Sequence, residues 1–414
     1  MSEFINNSEL RIRELYKFIG GITAQKERGT ELVQKYREVI DVCHPYDVII
    51  AIDLLMKEQI ELPLVKIGVN RSLNMLYKGL NSQPVPDYMQ KPFFHYLKME
   101  NDEAHKLLSG LKAHIKRINE KEISEKEFND SLIKINKGIN KMNDFMLHYV
   151  KLENILFPFI EKHIKESGCL PLMWSYHDDV RNCIKEILSL LEEKTVDLRK
   201  FNSFLGDLYF VVYAMRFREE HILFPVIIDL IPENEIIEMS QQAFEVGFSF
   251  ISPEPDQDDK KSKALSGNND HKFLSSDDLE DKILDLDTGK LSAKQTIMML
   301  NHLPIDMTFV DENDQVRYFS NPKHRIFQRS KAIIGRLVEN CHPPSSVHIV
   351  KELVESFRTG KKDKESFWIQ MGEKFILIQY FAMHDNTGKY CGTLEVSQEI
   401  TEIKKLEGEK RLMD

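Results

Sequence analysis

The side chains most able to do chemistry in this 414-residue chain fall into a repeated pattern. His95-Tyr-Leu-Lys-Met-Glu100-Asn101 and His148-Tyr-Val-Lys-Leu-Glu153-Asn154 agree at five of seven positions. Glu153-Asn-Ile-Leu-Phe-Pro158 returns as Glu220-His-Ile-Leu-Phe-Pro225, and His177 stands in Trp174-Ser-Tyr-His-Asp-Asp-Val180. Neutral imidazole and carboxylate suit iron, and a bridging carboxylate holds two metals close together. A lone histidine on an amphipathic helix is more often a core or surface residue, and His105, His114, His163 and His221 read that way. A His-x4-Glu pair repeated on two helices reads as a candidate metal site. At about 100° per residue its two members lie ~140° apart round the helix, so they do not share one stripe.

The elements that must position these residues are helices. Residues 88–246 hold four long amphipathic segments, about Lys91–Asn119, Ser124–Glu166, Pro171–Glu193 and Val196–Leu230, joined by short loops. Ser124 with Glu127 has the capping-box spacing, and Gly168 with Pro171 separates the second segment from the third. This is the pattern of an up-down four-helix bundle, whose interior is where inward-pointing His and Glu build di-metal sites. Residues 1–82 read as a smaller helical module, with apolar positions such as Leu15, Phe18 and Ile19 at helical steps and a fourth helix from Pro63 to Leu80. Residues 251–282 are polar and charged and read as a flexible linker. Beyond Leu291 the texture changes to strands at Thr308–Val310, Val316–Phe319, Phe367–Gln370, Lys374–Met383 and Tyr390–Ser397, with turns at Asp311–Asp314 and Asn386–Gly388. Helical pieces are expected over Asn321–Arg329, Val347–Thr359 and, at the end, Glu399–Arg411.

The His…Glu-Asn-Ile-Leu-Phe-Pro run and the later His177 helix resemble the hemerythrin-like HHE cation-binding domain. The whole pattern is similar to a bacterial and archaeal three-part architecture in which a domain of unknown function (DUF438) precedes the HHE domain and a PAS domain follows. The PAS portion rests on Leu303-Pro-Ile-Asp-Met-Thr-Phe-Val-Asp311, Val316-Arg-Tyr-Phe-Ser320, Ile334-Gly-Arg336, Cys341-His-Pro-Pro-Ser-Ser346, Phe367-Trp368 and Gly392-Thr-Leu-Glu395. The resemblance implies an all-α N-terminal module (1–82), a hemerythrin-like four-helix bundle (88–246) and an α+β PAS-like domain (291–404) whose five-strand antiparallel sheet encloses a pocket. It implies a non-haem di-iron site with ligands His95, His148, Glu153, His177 and Glu220, and Glu100 as a second candidate on the first helix. The chain departs from that pattern. Met215 stands where a partner of His148 would fall on the fourth helix, and Arg181 stands one turn after His177, where hemerythrins place another histidine. An altered iron shell, a single metal, haem held by Met215 and a histidine, and a bundle without metal all remain open.

In the PAS-like stretch Phe309, Phe319, Phe327, Trp368, Phe375, Tyr380 and Phe381 are core or pocket lining. Cys341 and His342, ahead of two prolines, are candidates for haem or metal ligation or for oxidation, with a structural turn as the plainer reading. The chain has 56 Lys+Arg against 66 Asp+Glu, a net charge of −10, which argues against nucleic acid or an anionic membrane as its main partner. Five scattered cysteines without a CxxC pair point to a reducing compartment. With no signal-peptide core and no apolar run of ~18 residues, the expectation is a cytoplasmic protein. No Walker loop, GxSxG elbow, HExxH or kinase signature is present, and only Lys405–Asp414 follow the PAS-like stretch. The expected function is a sensor in which iron in the bundle answers oxygen, nitric oxide or redox state and the PAS-like domain passes the change to a protein partner, a second copy of the chain included. The alternatives are an iron enzyme that reduces oxygen, peroxide or nitric oxide or repairs iron centres, and a metal-free interaction scaffold.

Overall fold

A computed structural model describes residues 2–25, 28–58, 60–84, 86–193, 195–254 and 283–409. Contacts divide the chain into two compact units, Met1–Pro255 and Asp256–Asp414. Among the described residues no helix is long and apolar enough to cross a membrane.

In the first unit, α1 (Ser2–Ala24) buries Leu15, Phe18, Ile19 and Ile22 against α4 (Pro45–Met56) and α5 (Leu62–Asn81), with two short helices, α2 (Gly29–Lys35) and α3 (Arg37–Asp41), between them. Pro45 and Pro63 each sit in a first turn, where the missing N–H costs nothing. Gly68 lets α5 touch α1, since a Cβ there would lie 1.9 Å from Thr23 Oγ1 and 2.8 Å from Thr23 Cα.

The four long segments form as expected. They are α6 (Pro92–Ile118), then α7 (Glu125–Met142) running on through α8 (Met146–Lys151) and α9 (Phe157–His163), then α10 (Cys169–Glu192), then α11 (Leu198–Arg218) continued by α12 (Phe224–Leu230). Ser124 caps α7 through the Glu127 N–H. Helix α6 packs on α7, α7 on α10, α10 on α11 and α11 on α6, which closes a ring of four. A further helix, α13 (Glu233–Val246), packs on α6 and α8.

Two of these helices are interrupted in the same way. Residues Leu152–Leu156 and Glu219–Leu223 form single π-turns, in which the Phe157 N–H reaches back to Leu152 O and the Phe224 N–H to Glu219 O. The cause is local. Pro158 and Pro225 have no N–H to continue the ladder and their rings crowd the carbonyl four residues earlier, so the preceding turn widens by one residue.

In the described part of the second unit a short hairpin of β1 (Ile283–Asp285) and β2 (Lys290–Ser292) comes first, then α14 (Ala293–His302). A five-stranded antiparallel sheet follows, from β3 (Asp306–Asp311), β4 (Val316–Phe319), β5 (Lys364–Met371), β6 (Lys374–His384) and β7 (Tyr390–Glu399), in the order β4-β3-β7-β6-β5. Every expected strand is present and α15 spans Pro344–Arg358. Asp311 Oδ1 accepts the Asn313 and Gln315 N–H groups to close the first hairpin, and Asp385 Oδ1 accepts those of Thr387 and Lys389 to close the last. At Gly392 (φ +140°) a Cβ would lie 2.2 Å from Val310 O, so only glycine lets β7 pair this closely with β3.

Several expectations fail here. Asn321–Arg329 is not helical, because Asp306 Oδ2 takes the Ile326 and Phe327 N–H groups and holds the segment as a loop. In Glu399–Arg411 the described part carries only a 3-10 turn, Ile403–Lys405. Trp368 is 65% exposed on the edge strand β5 and lines no core. The linker expected over 251–282 lies, from residue 255 on, outside the described residues.

Gly68→Ala should destabilise the first unit by about 1–3 kcal/mol through overpacking against Thr23, measured by urea unfolding; a variant as stable as the parent would show that α1 and α5 can part at no cost.

Candidate functional site

The π-turns of α8–α9 and α11–α12 and the helices α6, α8 and α10 deliver a largely buried polar cluster. His148 is the centre: Nδ1 lies 2.8 Å from Glu100 Oε2 and Nε2 lies 2.9 Å from Glu219 Oε2. Lys151, one turn further along α8, places Nζ 2.8 Å from Glu100 Oε1 and donates also to the carbonyls of Leu147 and Gly247. Glu100 accepts a third donor, the Ser249 N–H, on Oε1 at 2.6 Å, and Asn101 Nδ2 donates to Glu219 Oε2 at 2.8 Å. A second group adjoins it. His177 Nδ1 lies 2.8 Å from Glu153 Oε1, and Arg181 Nη2 donates to both oxygens of Glu153, at 2.7 and 2.9 Å. The Tyr149 ring stacks on His177 at 4.1 Å.

The electrostatics follow from these contacts. Burial opposes the imidazolium of His148, yet the Glu219 and Glu100 carboxylates outweigh it and hold the pKa at about 9. Burial likewise pushes Glu100 up, but His148 and Lys151 bring it below the ordinary carboxylate value. Burial pulls His177 down despite Glu153, so it is neutral, donates through Nδ1 to the carboxylate and leaves Nε2 a bare lone pair. Burial lowers Lys151, opposed by the charge and hydrogen bond of Glu100.

A di-iron centre does not fit this donor set. Both oxygens of Glu100 and of Glu153 already take cationic donors, and both nitrogens of His148 face carboxylates. Among the described residues no group of three or more His, Cys, Asp or Glu is arranged to hold a metal ion. The buried polar atoms left without a partner here are His177 Nε2, Glu219 Oε1 and Tyr149 Oη.

Of the residues expected at the site, Glu100, His148, Glu153 and His177 come together. His95 does not: it is half-buried with its ring against Tyr96, five residues and ~140° of helix away from Glu100. Glu220 is replaced by Glu219, whose Oε2 meets His148 Nε2 and Asn101 Nδ2, while Glu220 pairs with Arg216 at 3.0 Å. Met215 is buried with Sδ 3.9 Å from Arg218 Nη1. Lys151, Glu219 and Ser249 were not foreseen. Lys151 in an otherwise apolar run and the Glu219-Glu220 doublet were the available hints.

In the second unit Cys341 is buried among Val310, Val316 and Ile333, with Sγ 3.7 Å from Leu337 O, so it packs as core. His342 beside it is held at a pKa of about 4 by burial and by the charges of Arg329 and Arg336.

The order of the antiparallel sheet, with helices α14 and α15 beside it in the chain, defines an α+β domain. Residues 297–401 match the family model of the PAS domain, so this chain carries a PAS domain in its second unit. Among solved structures it is similar to the C-terminal domain of a protein from Streptococcus mutans, at 34% identity over 31% of this chain and 99% of that one, TM-score 0.30. It is similar also to the PAS domain of a protein from Colwellia psychrerythraea, at 15% identity over 26% of this chain and 97% of that one, TM-score 0.21. A sensory box sensor histidine kinase from Vibrio cholerae gives 11% identity over 26% and 94%, TM-score 0.21. At these scores the family match carries the assignment. No curated protein matches the chain.

The folded His342 takes a proton only near pH 4, whereas an unfolded histidine takes one near 6.5. Its folded pKa is depressed, so the stability it contributes is present above pH 6.5 and lost as the pH falls toward 4. Thermal unfolding of the full chain across that window should show the loss and His342→Gln should flatten it; an unchanged slope would remove His342 as its source.

Proposed function

We propose that this is a sensory regulatory protein whose PAS domain takes a small anionic ligand in its interior. The family match supports a sensing role, and what carries the ligand class is a pair of unsatisfied donors. Arg329 Nε and Tyr318 Oη are both buried without a hydrogen-bond partner. Both lie close enough to Arg325 for their charges to act on it, and Arg329 acts as well on His342 and Tyr380. Arg325 itself is spent on structure: it lies 3.8 Å from Asp306, donates to Phe327 O at 2.7 Å and covers the Phe319 ring. Arg329 therefore keeps an open Nε–H shielded from solvent, to which a carboxylate or phosphate oxygen would bond strongly. Iron-based response to oxygen or nitric oxide has no part in this proposal, because Glu100 and Glu153 are already saturated. Output would pass through a binding partner of the PAS domain.

The test is thermal-shift and calorimetric titration of the full chain with acetate, malate, citrate and inorganic phosphate. At least one should raise the melting temperature of the PAS domain. Arg329→Met should abolish the effect and Tyr318→Phe should weaken binding about tenfold, the worth of one hydrogen bond to a charged group. No shift with any of the four, or a shift that survives in Arg329→Met, would overturn the proposal.

A further inference from the structure

We propose that Lys151 and Arg181 are built-in cations that take over the charge role of a metal, so that the helical unit folds round an ionic core needing no iron. The placement of the two side chains carries this. Lys151 follows His148 by three residues and Arg181 follows His177 by four, so each cation rises on the same helix face as its histidine, one turn on. Each cation then grips a carboxylate that its histidine also touches, Glu100 in one case and Glu153 in the other.

The valences close. Lys151 is fully buried, and its three ammonium protons have three acceptors in Glu100 Oε1, Leu147 O and Gly247 O. Glu100 has three donors, and Glu153 takes the Arg181 guanidinium on both oxygens. A metal ion entering at Glu100 would have to displace the Lys151 ammonium and strand it in the interior, a large penalty for a charge with no partner, and one at Glu153 would have to displace the Arg181 guanidinium from both carboxylate oxygens. The groups that stay open, His177 Nε2, Glu219 Oε1 and Tyr149 Oη, are two acceptors and a hydroxyl.

The network also ties elements together. Lys151 reaches Gly247 at the end of α13, and the Ser249 N–H and Oγ bond Glu100 and Asp144 O, so the chain after α13 is pinned to α6 and α8 through the same charges. Removing the ammonium would leave Glu100 short of its cation and free this segment.

The experiment uses the full chain, isolated and then incubated anaerobically with ferrous iron, desalted and analysed for metal. The expected result is fewer than one metal atom per ten chains and a melting temperature unchanged by iron or by chelator. Lys151→Met should lower the melting of the helical unit by about 10 °C, with no recovery on adding iron. One or more iron atoms per chain that raise the melting temperature and are lost in His177→Gln would overturn the proposal, as would a Lys151→Met protein that melts with the parent.

Discussion

A carboxylate taken into a protein interior must meet a cation or a set of donors there, and much of the first unit is arranged round that demand. Glu100, Glu153 and Glu219 lie where water cannot solvate them, and the ring of helices α6, α7–α9, α10 and α11–α12 brings a lysine, an arginine and an imidazolium to their oxygens. Replacing such a network with apolar side chains can leave stability unchanged, whereas breaking one partner is costly. The ionic core is therefore better understood as fixing one arrangement of the helices than as a source of net stability.

That arrangement needs the two π-turns. Each is forced by a proline at the end of an Ile-Leu-Phe-Pro run, and each changes which residue of its turn faces the ring. In α11–α12 Glu219 meets His148, and Glu220 pairs with Arg216. In the α8–α9 stretch Glu153 faces His177. Two copies of one sequence motif thus present acids that do not correspond by alignment. Both copies carry the same widened turn, so the difference lies in the neighbours each acid meets: His177 and Arg181 beside Glu153, His148 and Asn101 beside Glu219.

The PAS domain shows the other side of the same rule. Its pattern of alternating strands and Asp- or Gly-marked turns is short-range, and all five strands appear where periodicity placed them. What short-range pattern missed were segments controlled from a distance. Asn321–Arg329 has helical composition but surrenders its N–H groups to Asp306 on β3, and Trp368 looks like core but sits on an edge strand with its face open.

The sequence by itself determined the four long helices of the first unit, the five strands of the PAS domain, their order and the capping of α7, because periodicity, proline and hydrogen-bonding side chains act within a few residues. It carried the identities of Lys151 and Arg181 but not their meaning, since a lysine on a helix is ordinarily solvated. Only the tertiary structure decided that Lys151 is buried, that Arg181 closes on Glu153, that Glu219 rather than Glu220 completes the group, and that His95 stands aside. Those outcomes depend on which helix face meets which neighbour and on residues as far apart as Glu100 and Ser249. A buried charge is satisfied by whatever the fold brings beside it, and no local pattern records that.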